Sequence, residues 1–224
     1  LRRLSLDLLG LPPTLEELVA FLADTAPDAY DKQVRRLLES PHYGERWGRH
    51  WLDAARYADS DGYEKDKPRS VWMYRDWVVA ALNRDLPYDQ FITHQLAGDI
   101  LAAKEWDAAK LTATGMYAIG NWGNGDADKE KMVSDIVDDQ IDVVTRGWLG
   151  STLACAQCHN HKFDPISQEE YYRLFAFLNN DHEAQRVVYS TEEQMLVGNL
   201  SREMKDLETG LRHTTPDWEE RLAK

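Results

Sequence analysis

The chain has 224 residues, with 39 acidic against 26 basic side chains and a net charge of −13. That balance argues against a nucleic-acid partner, so none is expected, and favours solubility or a basic partner. No stretch approaches the ~20 apolar residues that cross a bilayer, whereas 43% hydrophobic content with eight Trp can fill one large core or two small ones.

The chain opens on Leu1-Arg2-Arg3-Leu4, already inside an amphipathic pattern, with no initiator Met and no basic-then-apolar signal segment. The expectation is a piece of a longer protein. Leu1, Leu4, Leu8 and Leu11 keep helical spacing, Gly10 is placed to cap them, and Pro12-Pro13 ends the segment. Thr14-Leu15-Glu16-Glu17 is a capping box opening a helix to about Ala23. Asp28 is placed to cap a third helix carrying Val34, Leu37 and Leu38, which ends near Ser40-Pro41.

A helix over 44–58 would put Trp47, His50, Trp51, Ala54 and Ala58 on one face and Arg46, Arg49, Asp53 and Arg56 on another. The first face is aromatic with a histidine in it; the second reads as a solvated charge ladder. In the acidic loop that follows, Asp59, Asp61 and Glu64 could hold a hard cation, but the order of an EF-hand is missing and a plain exposed loop is expected. Helices are expected over 71–83 and 90–100, with His94 structural in the second. An apolar segment over 111–119 contains Met116, and a Gly/Asn/Asp loop follows over 121–128. A long helix over 129–149 carries Met132, Ile136, Ile141, Val144 and Trp148 inward and runs to the cysteines.

Both cysteines of the chain lie in Cys155-Ala156-Gln157-Cys158-His159. C-x-x-C-H attaches a c-type haem: each thiol adds to a vinyl group, and the adjacent imidazole reaches the iron. A structural zinc on Cys155, Cys158, His159 and His161 is the alternative cofactor, although so compact a run leaves little chain to arrange four tetrahedral ligands. A redox dithiol or a disulfide also uses C-x-x-C, but the βαβ context it expects is absent.

Beyond the motif, Ser167-Gln168-Glu169-Glu170 is a second capping box, for a helix with Tyr171, Leu174, Phe175 and Leu178 on its stripe. Thr191-Glu192-Glu193-Gln194 reads as a third, for a helix carrying Met195, Leu196, Leu200, Met204 and Leu207. Past Thr209-Gly210 the chain is polar, with Pro216 near a helix start. The expected fold is all-α, an irregular multi-helix domain around the C-x-x-C-H motif over 1–180, then a helical extension over 181–224.

Several runs of the sequence are shared with a known family. Arg3 to Thr14, Tyr43-Gly44-Glu45-Arg46-Trp47, His50-Trp51-Leu52-Asp53, Arg56 to Ser60, Tyr88-Asp89-Gln90-Phe91, Gln95 to Asp99, and Cys155 to Ile166 resemble the cytochrome-c-like domain of planctomycete bacteria. The resemblance covers about residues 1–180. It implies haem c on Cys155, Cys158 and His159, in the middle of a large secreted protein that often has another C-x-x-C-H module upstream. It implies no reaction.

The leading expectation is a periplasmic or secreted haem c domain that passes single electrons to a redox partner protein or a neighbouring domain. The alternative is an enzyme or ligand-binding domain in which Arg46, Arg49, Asp53, Arg56 and Asp59, with His161, Lys162 and Asp164, line a polar pocket beside the haem. For the sixth iron position the expected donor is His50, with Trp47 and Trp51 flanking the porphyrin. His161 is too close to His159 to reach the opposite face, His42 precedes the helix in a polar turn, His182 and His213 lie in polar C-terminal stretches, and His94 has no aromatic wall around it. Met116 is the other donor. Lys162 is expected to pair with a haem propionate, and loss of both cysteines to cost stability.

Overall fold

The computed structural model describes all residues except 63–64, 105, 122–127, 181–189 and 215–224, and of 191, 213 and 214 the backbone alone. Ten α-helices account for most of the described residues: α1 Arg2–Leu9, α2 Leu15–Ala23, α3 Ala29–Leu38, α4 Pro41–Ala54, α5 Trp72–Asn83, α6 Tyr88–Lys104, α7 Ala108–Ala113, α8 Lys129–Val144, α9 Gln168–Leu178 and α10 Thr191–Thr214. The fold is all-α. Among the described residues the β-type pairing is one isolated antiparallel bridge, Ser60 with Pro68. The chain divides into two compact units, Leu1–Ala184 and Gln185–Lys224.

Local chemistry sets most of the helix ends. Gly10 closes α1 at φ 73, and Thr14 and Ser167 each form a reciprocal box with the glutamate three residues on. Ser40 caps α4 with Pro41 at its first position, so α4 begins three residues before the expected 44 and stops at Ala54 rather than 58. The stop is a left-handed Arg56 at φ 52, held by its own bonds to the core. The cap of α10 is Ser190, whose Oγ accepts the Glu193 N–H at 3.2 Å while Glu193 reaches back to the Ser190 N–H at 2.7 Å. The expected box one residue later is thereby corrected. The helix then runs through Gly210.

The core of the first unit has two parts. The larger joins α4 to α7 through Ala55, Tyr74, Trp77, Val78, Ala81, Phe91, Ala113, Met116 and Ile119, with Trp51 and Trp148 packed against it. Its rings interlock: Trp77 stacks on Phe91 at 5.2 Å, and Trp51 meets Phe91 edge-on at 5.1 Å and Trp148 at 4.6 Å. The smaller part is Val137, Ile141, Leu153, Ala156 and Tyr171, between α8, α9 and the cysteine segment. Helix α8 serves both, with Val137 and Ile141 in the smaller part and Val144 in the larger. Most of the core lies on α4–α7, and the C-x-x-C-H motif rides on the smaller cluster.

Helix α4 turns a different face inward than its aromatic spacing suggested. Gly44 and Gly48 are buried against α5, and a Cβ at Gly44 would collide with the Val79 carbonyl oxygen. The Gly44 N–H instead donates to Asn83 Oδ1 at 2.7 Å, so the two helices approach at the glycines. Trp47, His50 and Ala54 consequently face outward. The expected straight helix over 129–149 also changes character. After Val144 it widens into a π-type turn, Thr145–Leu149, closed by a left-handed Gly150 whose N–H donates to the Thr145 carbonyl.

Candidate haem-attachment site

Cys155 lies in a 3-10 turn, Ala154–Gln157, with Cys158 as its C-cap. Leu153 and Ala156 are buried in the smaller core, which anchors the turn from below and leaves both cysteines exposed as free thiols. The Cys158 and His159 N–H groups both point at the Cys155 carbonyl, each at 3.4 Å. His159 is exposed, and its Nδ1 lies 2.8 Å from the Asn160 carbonyl oxygen. A carbonyl can only accept, so Nδ1 carries the proton. In the neutral ring this tautomer leaves the Nε2 lone pair open, as an iron or zinc ligand requires.

The turn is clamped on both sides. Gln157 donates from Nε2 to Asp138 Oδ2 of α8 at 2.6 Å, while its carbonyl accepts from Gln168 Nε2 at 3.0 Å and the Tyr172 hydroxyl at 3.1 Å, both of α9. Asn160 Oδ1 accepts the Gln168 N–H at 2.9 Å, which fixes the carbonyl that orients His159. The second Asp138 oxygen accepts the Tyr171 hydroxyl, and burial, then Asp138 itself, pushes that phenol well above its ordinary pKa. Asp138, Asn160, Gln168, Tyr171 and Tyr172 were not singled out from sequence as site residues. Their contacts cross eight to 33 residues and leave no local pattern.

His161 does not join the exposed donors. Its side chain is only 6% exposed and its Nδ1 accepts the Asp164 N–H at 2.9 Å. The Asp164 carboxylate at 3.2 Å from the same nitrogen is therefore a neighbour and not a salt-bridge partner, because a nitrogen accepting an N–H has no proton to give. Among the described residues no three His, Cys, Asp or Glu side chains gather to hold a metal ion, so the four-donor zinc arrangement is not assembled. Lys162 is exposed, its ammonium 5.3 Å from the centroid of the Phe163 ring, and Phe163 is 85% exposed.

Residues 1–183 match the PSCyt2 family, described as a protein of unknown function (DUF1549). The chain belongs to that family. The match takes in every helix from α1 to α9 and the cysteine segment. No curated protein and no solved structure matches the chain.

Within this PSCyt2 domain the other expected site residues separate. Trp47 and His50 stay together on the outer face of α4, ring centroids 5.5 Å apart, and His50 makes no hydrogen bond among the described residues. Trp51 leaves them. Its Nε1 donates to the Tyr74 hydroxyl at 3.0 Å and to Gln95 Oε1 at 3.1 Å, inside the larger core, so the two indoles do not form one porphyrin slot. Met116 is 1% exposed and fills the same core. His94, expected to lack aromatic neighbours, lies 6.5 Å from Trp77, with a buried Nδ1 that has no partner among the described residues.

Of the residues expected to line a polar pocket, Arg56 and Asp59 are engaged in holding the chain together, and Arg69 joins them. Arg56 is turned inward onto Asp139, with Nε to Oδ2 at 2.6 Å, and onto the Met116 carbonyl at 3.0 Å. Arg69 spends its guanidinium on the carbonyls of Ile119 at 2.5 Å, Gly120 at 2.7 Å and Ala58 at 3.3 Å. Asp59 accepts the Tyr57 hydroxyl at 2.5 Å, and burial followed by that bond pushes Tyr57 up to about 12. These groups staple the 55–69 segment to α8 and to the 116–120 turn. Of the candidate cation ligands, Glu64 lies outside the described residues, as do His182 and Pro216.

Proposed function

We propose that residues 1–183 form a haem c-binding electron-transfer domain of a larger secreted or periplasmic protein, with Cys155 and Cys158 as the attachment thiols and His159 as the proximal ligand. The observation that carries this reading is the Nδ1 contact of His159 with the Asn160 carbonyl, which leaves Nε2 open beside two free, exposed thiols of one short turn. A haem bound there supplies a one-electron iron couple. The chain's own residues do the rest. Asn160 sets the tautomer of His159, and Gln157, Asp138 and Gln168 hold the turn rigid. Lys162 offers a cation to a propionate, and Phe163 offers an apolar ring to the porphyrin edge. His50, unbonded beside Trp47, is the proposed donor for the sixth position.

A one-electron carrier needs a partner, and the charge of −13 suits a basic redox protein or a neighbouring domain. Covalent haem attachment takes place outside the cytoplasm, which is the reason for the periplasmic or secreted assignment. The test is the intact mass of the chain exported in a host with a haem-attachment system, together with its reduced-minus-oxidised spectrum. One covalent haem and a c-type α-band are expected. An unmodified chain carrying stoichiometric zinc would overturn the reading.

A further inference from the structure

The larger core holds a short run of oxidisable rings that ends at the surface. The Trp51 and Trp148 ring centroids lie 4.6 Å apart, and Trp148 lies 6.5 Å from Tyr88, which opens α6 and is 60% exposed. Rings at these separations are in contact and can hand an electron from one to the next. Phe91 packs beside both indoles, at 5.1 Å from Trp51 and 6.3 Å from Trp148, but a phenyl ring is too hard to oxidise to take part.

The protons decide where an oxidised ring comes to rest. An indole or phenol that loses an electron becomes strongly acidic, and it is trapped as a neutral radical only where something takes its proton. Trp148 Nε1 is buried with no acceptor among the described residues. Trp51 Nε1 donates to the Tyr74 hydroxyl and to Gln95 Oε1, and neither a phenol nor a carboxamide oxygen removes a proton at neutral pH. Tyr74, 2% exposed, spends its own hydroxyl on the same Gln95 oxygen at 2.6 Å. Tyr88 alone of these rings stands well out in water. We infer that Trp51, Trp148 and Tyr88 form a radical relay that carries an oxidising equivalent out of the larger core to the surface, with Tyr88 as the sink. A one-electron oxidant such as an oxygen-derived radical takes an electron from Trp51. The Trp51 radical cation takes one from Trp148, and that of Trp148 takes one from Tyr88, which releases its hydroxyl proton to water. The balance is one electron to the oxidant, one proton to solvent, both indoles restored and a neutral phenoxyl radical on Tyr88. The relay does not depend on haem attachment.

The test is pulse radiolysis of the haem-free 224-residue chain in azide, whose radical oxidises indoles in preference to phenols near neutral pH. Tryptophanyl absorbance is expected to decay as tyrosyl absorbance grows, at a rate independent of protein concentration. Tyr88→Phe, a change at an exposed ring, should lose most of that growth and prolong the tryptophanyl signal. Trp148→Phe should do the same with Tyr88 in place. Tyr43→Phe, which removes the ring 6.3 Å from the exposed Trp47, should leave most of the growth. Growth that survives Tyr88→Phe or a folded Trp148→Phe overturns the inference. So does a rate that rises with protein concentration, or a parent chain whose tryptophanyl signal decays with no tyrosyl growth. If Trp148→Phe fails to fold by circular dichroism, the Tyr88→Phe result decides.

Discussion

The Tyr171 hydroxyl donates to Asp138 Oδ1 at 2.5 Å, and the same carboxylate accepts through its other oxygen from Gln157, one of the two residues between the cysteines. One side chain of α8 thus fixes both α9 and the cysteine turn. Tyr171 is 1% exposed, so its phenol has no water to fall back on.

Asp138→Ala should therefore act twice. Leaving the buried Tyr171 hydroxyl without its acceptor is expected to cost about 2 kcal/mol in urea unfolding. The freed Gln157 should also lower the fraction of exported chain that carries covalent haem, read by intact mass. An undiminished haem fraction in a clearly destabilised variant would separate the two roles and restrict Asp138 to folding.

The Cys155→Ser/Cys158→Ser variant should lose the covalent increment and keep its fold. The expected stability cost belongs to the haem-loaded chain, where the cofactor would fill its site; in the haem-free chain both cysteines are exposed and the two cores are filled by side chains. Melting of the variant should stay within roughly 4 °C of the haem-free parent, about 1 kcal/mol. Loss of the helical circular dichroism signal would mean that the thiols support the fold in a way the side-chain packing does not explain.

His50→Ala separates ligand from bystander. The side chain is exposed and its ring lies beside Trp47, so stability should change by less than about 0.5 kcal/mol. In oxidised, haem-loaded chain the spectrum should turn from low-spin to high-spin, with new cyanide binding. A low-spin spectrum that survives the substitution hands the sixth position to another donor.

His94 should make the fold acid-sensitive above the carboxylate range. Burial first, then the Lys110 and Arg84 cations, hold its pKa below the ordinary value, with Asp107 opposing. The unfolded chain takes up that proton near pH ~6.5 and the folded chain only lower. The contribution is complete above pH ~6.5 and is lost as pH falls toward the folded value. Stability measured by urea at pH 7 and pH 5 should drop, and His94→Leu should flatten that drop. Glu17 and Glu170, held low by backbone N–H groups at their helix caps, lose their contribution only at lower pH.

What the sequence made legible was short-range. Thr14 with Glu17 and Ser167 with Glu170 close within one helical turn, and both boxes form where the pattern places them. The register slipped where two hydroxyls adjoin, at Ser190 and Thr191, because either residue heads an acceptable box in the letters alone. The orientation of α4 was misread for a different reason. Hydrophobic spacing favours Trp47, His50 and Trp51, but glycine carries no hydrophobic signal, and Gly44 and Gly48 decide which face approaches α5. Asp138 was hidden among the outward acids of α8, its partners lying 19 and 33 residues away.

The placement of the larger core has a consequence for the order of events during synthesis. Its residues, from Trp51 to Trp148, all precede Cys155 in the chain. As the polypeptide emerges amino-terminus first, that core has its full complement before either thiol appears. Only the smaller cluster waits for the cysteine segment and α9, since Leu153, Ala156 and Tyr171 arrive with them. The cysteine segment therefore joins a chain whose larger core already has all its residues, and the last third closes only the smaller cluster.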